Sequence, residues 1–126
     1  MEARGLVLTF CGQLTYNVCM KEIWYYETAD GKYPFKIWYS KLDKSMRIRI
    51  DQRIDRVIDG NFGDFKWIDD EISELKFTVG KGYRIYFSEI DNIVVLFLCG
   101  GDKSDQSKDI RKAKEYLRDY MKRGQK

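Results

Sequence analysis

The sequence predicts an α+β domain in which a helical hairpin and a C-terminal helix pack on a small antiparallel sheet, in the order β-α-α-β-β-β-α. Apolar residues alternate over 72–79 and 83–88, which indicates strands with one buried face, and an unbroken apolar run over 93–98 indicates a strand covered on both faces. Apolar residues recur at helical spacing over 34–58 and 105–121. Helices and strands come in separate runs, which favours antiparallel pairing.

Composition narrows the classes of function. The 126 residues suffice for one core, and hydrophobic and aromatic contents of 44% and 15% indicate a folded chain. No apolar run approaches the roughly 20 residues of a membrane span, and three cysteines without motif spacing predict neither disulfides nor zinc. The chain has no histidine, which excludes a histidine acid–base pair, a Ser-His-Asp triad and most transition-metal sites. We expect a cytoplasmic protein without membrane association, metal or cofactor.

Three segments are expected along the chain. Residues 1–19 lack periodicity and are predicted to be an N-terminal extension outside the fold, without function of its own. Residues 20–121 form the predicted domain, and Met20 resembles a natural start just before the first strand. Residues 122–126 form a basic tail.

The first half of the domain predicts a strand followed by the helical hairpin. Residues 22–28 are aromatic and prone to β-structure, Asp30-Gly31 marks a turn, and Pro34 suits the first turn of a helix. Gly60 is placed to end the second helix. The apolar stripes of the two helices are Phe35, Trp38, Tyr39 and Leu42, then Met46, Ile50, Ile54, Val57 and Ile58. Four arginines occupy the other faces of the second helix and predict a basic outer face: Arg47, Arg49, Arg53 and Arg56.

The second half predicts three strands and the last helix. A loop over 61–64 is expected to be anchored by Trp67, and Gly80-Lys81-Gly82 forms the turn between the first two of these strands. Residues 89–92 connect the next pair as a hairpin, and Gly100-Gly101 ends the last strand.

Charge is uneven along the chain, although the net charge is only +3. Residues 32–56 and 103–126 are rich in lysine and arginine, whereas residues 59–74 are mostly acidic. Two basic segments around an acidic one predict either a phosphate-binding face or ordinary solvated helix surface with i,i+4 ion pairs. Charge alone leaves both interpretations open.

A group of cations is expected at one end of the sheet. If the strands pair as predicted, Lys76, Arg84 and Tyr86 share the face of the sheet away from the core, and Lys103 emerges close by at the end of the next strand. Fixed cations suit RNA cleavage by the neighbouring 2′-hydroxyl, because they stabilise the charge that develops on the phosphorane, while an aromatic ring can stack on a base. The alternative is that Lys76 and Arg84 pair with Glu74 or Glu89 across the sheet.

Several ordered motifs resemble one toxin superfamily. They are residues 72–76 (ISELK), 80–87 (GKGYRIYF) and 99–110 (CGGDKSDQSKDI), supported by 61–66 (NFGDFK) and the Pro34-Phe35 helix start. Together they resemble the toxins of the RelE/ParE superfamily, and among these the HigB-like addiction module killer toxins of type II toxin–antitoxin systems. The resemblance covers Met20 to about Met121.

The resemblance implies helices on an antiparallel sheet and a toxin that cuts messenger RNA on the ribosome. The family's basic catalytic residues map onto Lys76, Arg84 and Lys103. The tyrosine that the best-studied members use after the last of these is missing, and Gln106 and Asp109 occupy its region. We therefore expect substrate contacts from Tyr86, Gln106 and Asp109, with Asp109 as a base or Tyr86 as a stacking partner.

The resemblance also implies a cognate antitoxin, a small helix-turn-helix protein. Two other functions fit the same fold: a ParE-like poison of DNA gyrase, and an inactive module that only binds its antitoxin.

Overall fold

The computed structural model describes residues 20–124, which form a five-stranded mixed sheet with two helices on one face and one helix on the other. The predicted extension, residues 1–19, lies outside the described residues. Within them, no helix is long and apolar enough to cross a membrane. The strands are β1 (Glu22–Tyr25), β2 (Phe65–Trp67), β3 (Ser73–Lys76), β4 (Arg84–Ile90) and β5 (Val94–Gly101), and the helices are α1 (Pro34–Ser40), α2 (Lys44–Ile58) and α3 (Gln106–Lys122).

The strand order is β1-β5-β4-β3-β2. The α+β class is confirmed, and β3, β4 and β5 pair antiparallel as predicted. The prediction of a purely antiparallel sheet is wrong for β1, which runs parallel to β5. Residue propensities identify a strand but not its direction. Because most of the chain separates β1 from β5, no short turn fixes how they pair.

The edge strand β2, which the sequence did not predict, follows the predicted loop over 61–64 and pairs antiparallel with β3. Trp67 was expected to anchor this region, but that prediction is wrong, since its side chain is 59% exposed on β2. Phe62 provides the anchor instead, because its ring stacks on Phe87 of β4 at a centroid distance of 5.5 Å.

One face of the sheet is covered by α1 and α2. Asp43 caps α2 by accepting a hydrogen bond from the Met46 amide at 2.8 Å, and Gly60 follows the helix with φ of 90°. The apolar stripes of both helices contribute to a core with the inward side chains of β3, β4 and β5: Phe35, Met46, Ile50, Val57, Leu75, Phe77, Ile85, Phe87, Val95 and Phe97.

The predicted basic outer face of α2 is wrong for Arg53. Its side chain is 7% exposed and lies over the ring of Phe77 at 4.7 Å. Its nitrogens donate to the backbone carbonyls of Phe62, Lys76 and Asp64. Arg53 therefore joins the loop before β2 to the end of β3.

The other face of the sheet is covered by α3. Ala113, Leu117 and Tyr120 pack against outward side chains of the central strands. The predicted helix over 105–121 is confirmed with small shifts at its ends. Both faces of β4 and β5 are therefore buried.

Candidate active site

Three adjacent strands deliver cationic residues to one corner of the sheet. Lys76, the last residue of β3, pairs in register with Arg84, the first residue of β4. Arg84 pairs in turn with Gly101, the last residue of β5, and Lys103 follows two residues later. The prediction that Lys76 and Arg84 lie on the same side of adjacent strands is therefore confirmed. We call Glu74, Lys76, Arg84, Lys103 and Asp109 the Arg84 corner.

The turn between β3 and β4 brings Arg84 and Lys103 together. Arg84 Nη1 donates to the carbonyl of Gly82 at 3.2 Å. The hydrocarbon stem of Lys103 packs on the same glycine, where an added Cβ would lie 3.2 Å from Lys103 Cδ. Gly82 has φ of 72°, which favours glycine. The exposed Lys103 follows Asp102, whose carboxylate accepts from the Ser104 amide at 2.9 Å and shapes the turn that carries the lysine.

A buried carboxylate holds one edge of the Arg84 guanidinium. Glu74 is 1% exposed, and its Oε2 lies 3.4 Å from Arg84 Nε, while the Arg84 side chain is 14% exposed. The cross-strand ion pair weighed from the sequence is thus present for Arg84. Lys76 forms no ion pair among residues 20–124, and Glu89 pairs with Lys21 at 2.6 Å.

The guanidinium is only partly engaged. Within residues 20–124, Arg84 Nη2 donates to no atom and Glu74 Oε1 accepts from none. A fully satisfied buried pair would occupy both carboxylate oxygens. Nε and Nη1 of Arg84 are held in place, and Nη2 remains available to an anion.

Tyr86 does not suit the expected stacking role. Its side chain is fully buried among Leu98, Ala113 and Leu117, so no base reaches its ring, and that prediction is wrong. Its hydroxyl has no hydrogen-bond partner in the described part of the chain. Burial, followed by the nearby Glu74 and Asp109 charges, raises the Tyr86 pKa well above its ordinary value. The face that alternation marked as polar is covered by α3.

Asp109 lies in the first turn of α3, over the end of β5. A Cβ at Gly101 would lie 2.0 Å from Asp109 Oδ2, so a residue larger than glycine fits here only if the carboxylate moves. Burial is the main cause that raises the Asp109 pKa, and the Asp105 and Asp102 charges add to it, while Lys108 and Lys112 oppose it. The carboxylate therefore lies over β5, the strand that pairs with Arg84. Sequence reasoning did not predict this position, although the two glycines that end β5 were a signal that could have indicated it.

Two further residues complete the surroundings. Gln106 begins α3 and is half-buried. Cys99 is buried, and its thiol lies 3.8 Å from the Asp109 carbonyl. Burial, with a smaller contribution from Asp109, raises the pKa of the Cys99 thiol to about 12. A thiol with that pKa is not a nucleophile at neutral pH.

The Arg84 corner combines three cations, which can stabilise negative charge on a phosphate, with the Asp109 carboxylate, whose pKa is raised. Groups of these two kinds are the ones that phosphate chemistry without a metal uses. Among residues 20–124, no group of three or more histidine, cysteine or acidic side chains is arranged to hold a metal ion.

Comparison with known proteins identifies a relative, but the description of that relative names no activity. No protein-family model matches the chain. The chain is similar to a protein of Haemophilus influenzae that is described only as uncharacterized, with 49% identity over 82 residues. The match covers 64% of this chain and 82% of the relative. This chain and the Haemophilus influenzae protein belong to one family.

Proposed function

We propose that the protein is the toxin of a type II toxin–antitoxin module, and that it cleaves messenger RNA on the ribosome by 2′-hydroxyl attack without a metal. The observation that carries the proposal is the register of Lys76, Arg84 and Gly101 across three strands, with Lys103 just beyond. It supports a corner at which three cations come from adjacent strands, as binding of a phosphate requires. The resemblance to HigB-like toxins supplies the substrate class.

We assign to Arg84 the role of binding the scissile phosphate. Within residues 20–124 its Nη2 has no partner, whereas Glu74 holds Nε and the Gly82 carbonyl holds Nη1. Fixing the donor before the substrate arrives lowers the cost of stabilising the phosphorane. Glu74 acts through Arg84 and is a positioning residue. Lys76 and Lys103 add point charges on flexible stems beside the same phosphate.

We assign to Asp109 the role of general base, which accepts the proton of the attacking 2′-hydroxyl. Its raised pKa makes it a better base than an ordinary surface aspartate. The hydroxyl oxygen attacks the adjacent phosphorus, its proton passes to the carboxylate, and the bond to the 5′-oxygen breaks as that oxygen takes a proton from water. The products are a 2′,3′-cyclic phosphate and a 5′-hydroxyl end.

One observation favours a second function, that of an inactive module which binds only its antitoxin. Arg84 is 14% exposed and paired with Glu74, and a structural ion pair would have the same partners. The open Nη2 edge and the unpaired Glu74 oxygen favour the nuclease.

Induced expression with mapping of RNA 5′ ends tests the proposal. We expect growth arrest, new 5′-hydroxyl ends inside coding regions, and rescue by the cognate helix-turn-helix antitoxin. Arrest with DNA damage and no new ends would instead identify a gyrase poison. Normal growth with the intact protein present would favour the inactive module.

A matched pair of variants tests the site. Lys76→Ala with Lys103→Ala removes two cations of the Arg84 corner, and we expect new ends to fall by about 100-fold. Lys32→Ala with Lys41→Ala removes two exposed lysines elsewhere and should cleave like the parent. Equal loss in both pairs would contradict the assignment.

A further inference from the structure

A second cationic surface lies on the opposite side of the sheet, beneath α2. It is a groove between α2 and the chain that leaves β3, which we call the α2 groove. The helix contributes Arg49, Gln52, Arg53 and Arg56, and the other wall is formed by Asp64 and residues 76–79. Nothing in the proposed cleavage reaction uses Arg49 or Arg56.

Helix α2 separates its charges between two sides. Arg49, Arg53 and Arg56 follow at spacings of four and three, so they share the groove side of the helix. Asp51 lies on the other side, where it accepts a hydrogen bond from Tyr39 at 2.7 Å, and Asp55 follows it by one turn. The groove therefore has three arginines against one carboxylate, that of Asp64.

Two of these arginines are available to a ligand. Arg53 is occupied by three backbone carbonyls. Arg49 and Arg56 are exposed, and neither side chain forms an ion pair or hydrogen bond within residues 20–124. They are seven residues apart on one helix, which spans about 10 Å, so they suit two successive phosphates of an extended strand better than one small anion.

Exposed aromatic rings continue the α2 groove. Phe65 follows Asp64 and is 39% exposed, and Trp67 on the same face of β2 is 59% exposed. Their ring centroids are 6.1 Å apart. Phe62 supports Phe65 from beneath at 5.5 Å, so the outer rings are fixed without being covered. The acidic turn beyond Trp67, residues 69–71, limits this surface at its far end.

We propose that the α2 groove and the Phe65–Trp67 pair bind single-stranded nucleic acid, with phosphates on Arg49 and Arg56 and bases stacked on the aromatic rings. Cations beside exposed aromatic rings are the combination that binds single strands without reading their sequence. The choice of RNA over DNA rests on the proposed function. The groove meets the Arg84 corner at Lys76, so one RNA strand can pass from one to the other.

Fluorescence anisotropy with labelled 12-nucleotide RNA and DNA of mixed sequence tests the proposal on the full chain. We expect Arg49→Gln with Arg56→Gln to weaken RNA binding by about tenfold and to reduce the slope of log K against log salt by about 1.4, since two phosphate contacts are lost. Phe65→Ala with Trp67→Ala should weaken binding by about tenfold or more, with an unchanged slope.

Matched controls separate the groove from general charge and general apolar surface. Arg111→Gln with Arg118→Gln removes two exposed arginines of α3 at the same spacing of seven, and Ile48→Ala removes an exposed apolar side chain on another side of α2. All three substitutions should leave affinity within about twofold of the parent.

Several results would overturn the proposal. They are no RNA binding by the parent, equal loss in groove and control variants, or a dimer that Phe65→Ala with Trp67→Ala dissociates while RNA affinity is unchanged. Tighter binding of DNA than RNA would overturn the choice of RNA. Loss of cleavage with intact RNA affinity in Glu74→Gln with Arg84→Gln, neither of which lines the groove, supports the groove as a separate binding surface, so the two proposals fail independently.

Discussion

Two arginines with similar burial illustrate how differently the two faces of the sheet are built. Arg53, on the α2 side, is 7% exposed, and its donors reach three backbone carbonyls. Arg84, on the α3 side, makes a 3.4 Å contact with Glu74 and a 3.2 Å bond to Gly82, and leaves Nη2 open within the described residues. Beside it, Glu74 Oε1 and the Tyr86 hydroxyl are buried and have no hydrogen-bond partner among residues 20–124.

The difference indicates where function belongs. A satisfied polar group in a protein interior stabilises the fold, whereas a cluster left partly unsatisfied costs stability and is retained where it does something else. We therefore interpret Arg53 as structural and the Arg84 corner as the site of action.

The largest expected effect is on stability, and it comes from Arg53 on the α2 side of the sheet, where the buried donors are hydrogen-bonded. Arg53→Ala removes the guanidinium that donates to three carbonyls, of which that of Asp64 keeps the Lys76 amide as a donor, and it leaves a void over Phe77. We therefore expect the free energy of unfolding to fall by about 4 kcal/mol. Arg56→Ala, which removes an exposed arginine of the same helix, should change it by less than about 0.5 kcal/mol. Urea denaturation measures both. An equal, small effect in the two variants would contradict the structural role of Arg53.

The next largest effect on stability is expected at two neighbouring glycines of β5, Gly100 and Gly101, which face helices on opposite sides of the sheet. A Cβ at Gly100 would lie 2.3 Å from the ring of Trp38, so we expect Gly100→Ala to destabilise by about 3 kcal/mol. A Cβ at Gly101 meets the end of the Asp109 side chain, which can turn away, so Gly101→Ala should cost about 1 to 2 kcal/mol.

A double-mutant cycle checks that the Gly101 cost arises from Asp109. In an Asp109→Ala background the added methyl meets no carboxylate, so Gly101→Ala should cost less than about 0.5 kcal/mol. Gly100→Ala should cost the same in both backgrounds. An unchanged cost for Gly101→Ala would show that the carboxylate does not lie over this glycine.

A smaller effect of opposite sign is expected from Tyr86→Phe. The substitution removes a buried hydroxyl that has no partner among residues 20–124 and keeps the ring that fills the core under α3. We expect the free energy of unfolding to rise by up to about 1 kcal/mol. Thermal unfolding measures it. A loss of more than about 1 kcal/mol would indicate that the hydroxyl has a partner after all.

The smallest effect is the pH dependence of stability due to Asp109. Its pKa is raised in the folded state, so its contribution to stability is fully present below the unfolded value and is lost as the pH rises through the folded value. Asp109→Asn should therefore be more stable than the parent at neutral pH, and the advantage should disappear near pH 3. A variant equally stable at all pH values would contradict the raised pKa.

The sequence predicted the helices and the central strands well, because their apolar spacing matches the period of each element. Gly60 and Pro34 marked helix ends through backbone conformation alone. Pairing of the predicted strands then placed Lys76 beside Arg84 correctly.

The burial of particular polar residues could not be predicted. Arg53 carries an apolar stem at the margin of the α2 stripe, and only the loop carbonyls of the folded chain make it an interior residue. Tyr86 and Glu74 alternate with apolar residues and were assigned to a solvent face, because periodicity does not show that α3 returns to cover it. The position of Asp109 over Gly101 also depends on how α3 packs against the sheet, which the sequence pattern does not show.

Cleavage of ribosome-bound messenger RNA by a paired variant tests the central claim most directly. Arg84→Gln alone would strand the buried Glu74 charge, so Glu74→Gln is combined with it to keep the pair neutral and similar in shape. We expect the double variant to unfold within about 1 kcal/mol of the parent and to cleave at least about 100-fold more slowly, as judged by primer extension. A folded double variant that cleaves within about threefold of the parent rate would contradict the assignment of the Arg84 corner as the site of RNA cleavage.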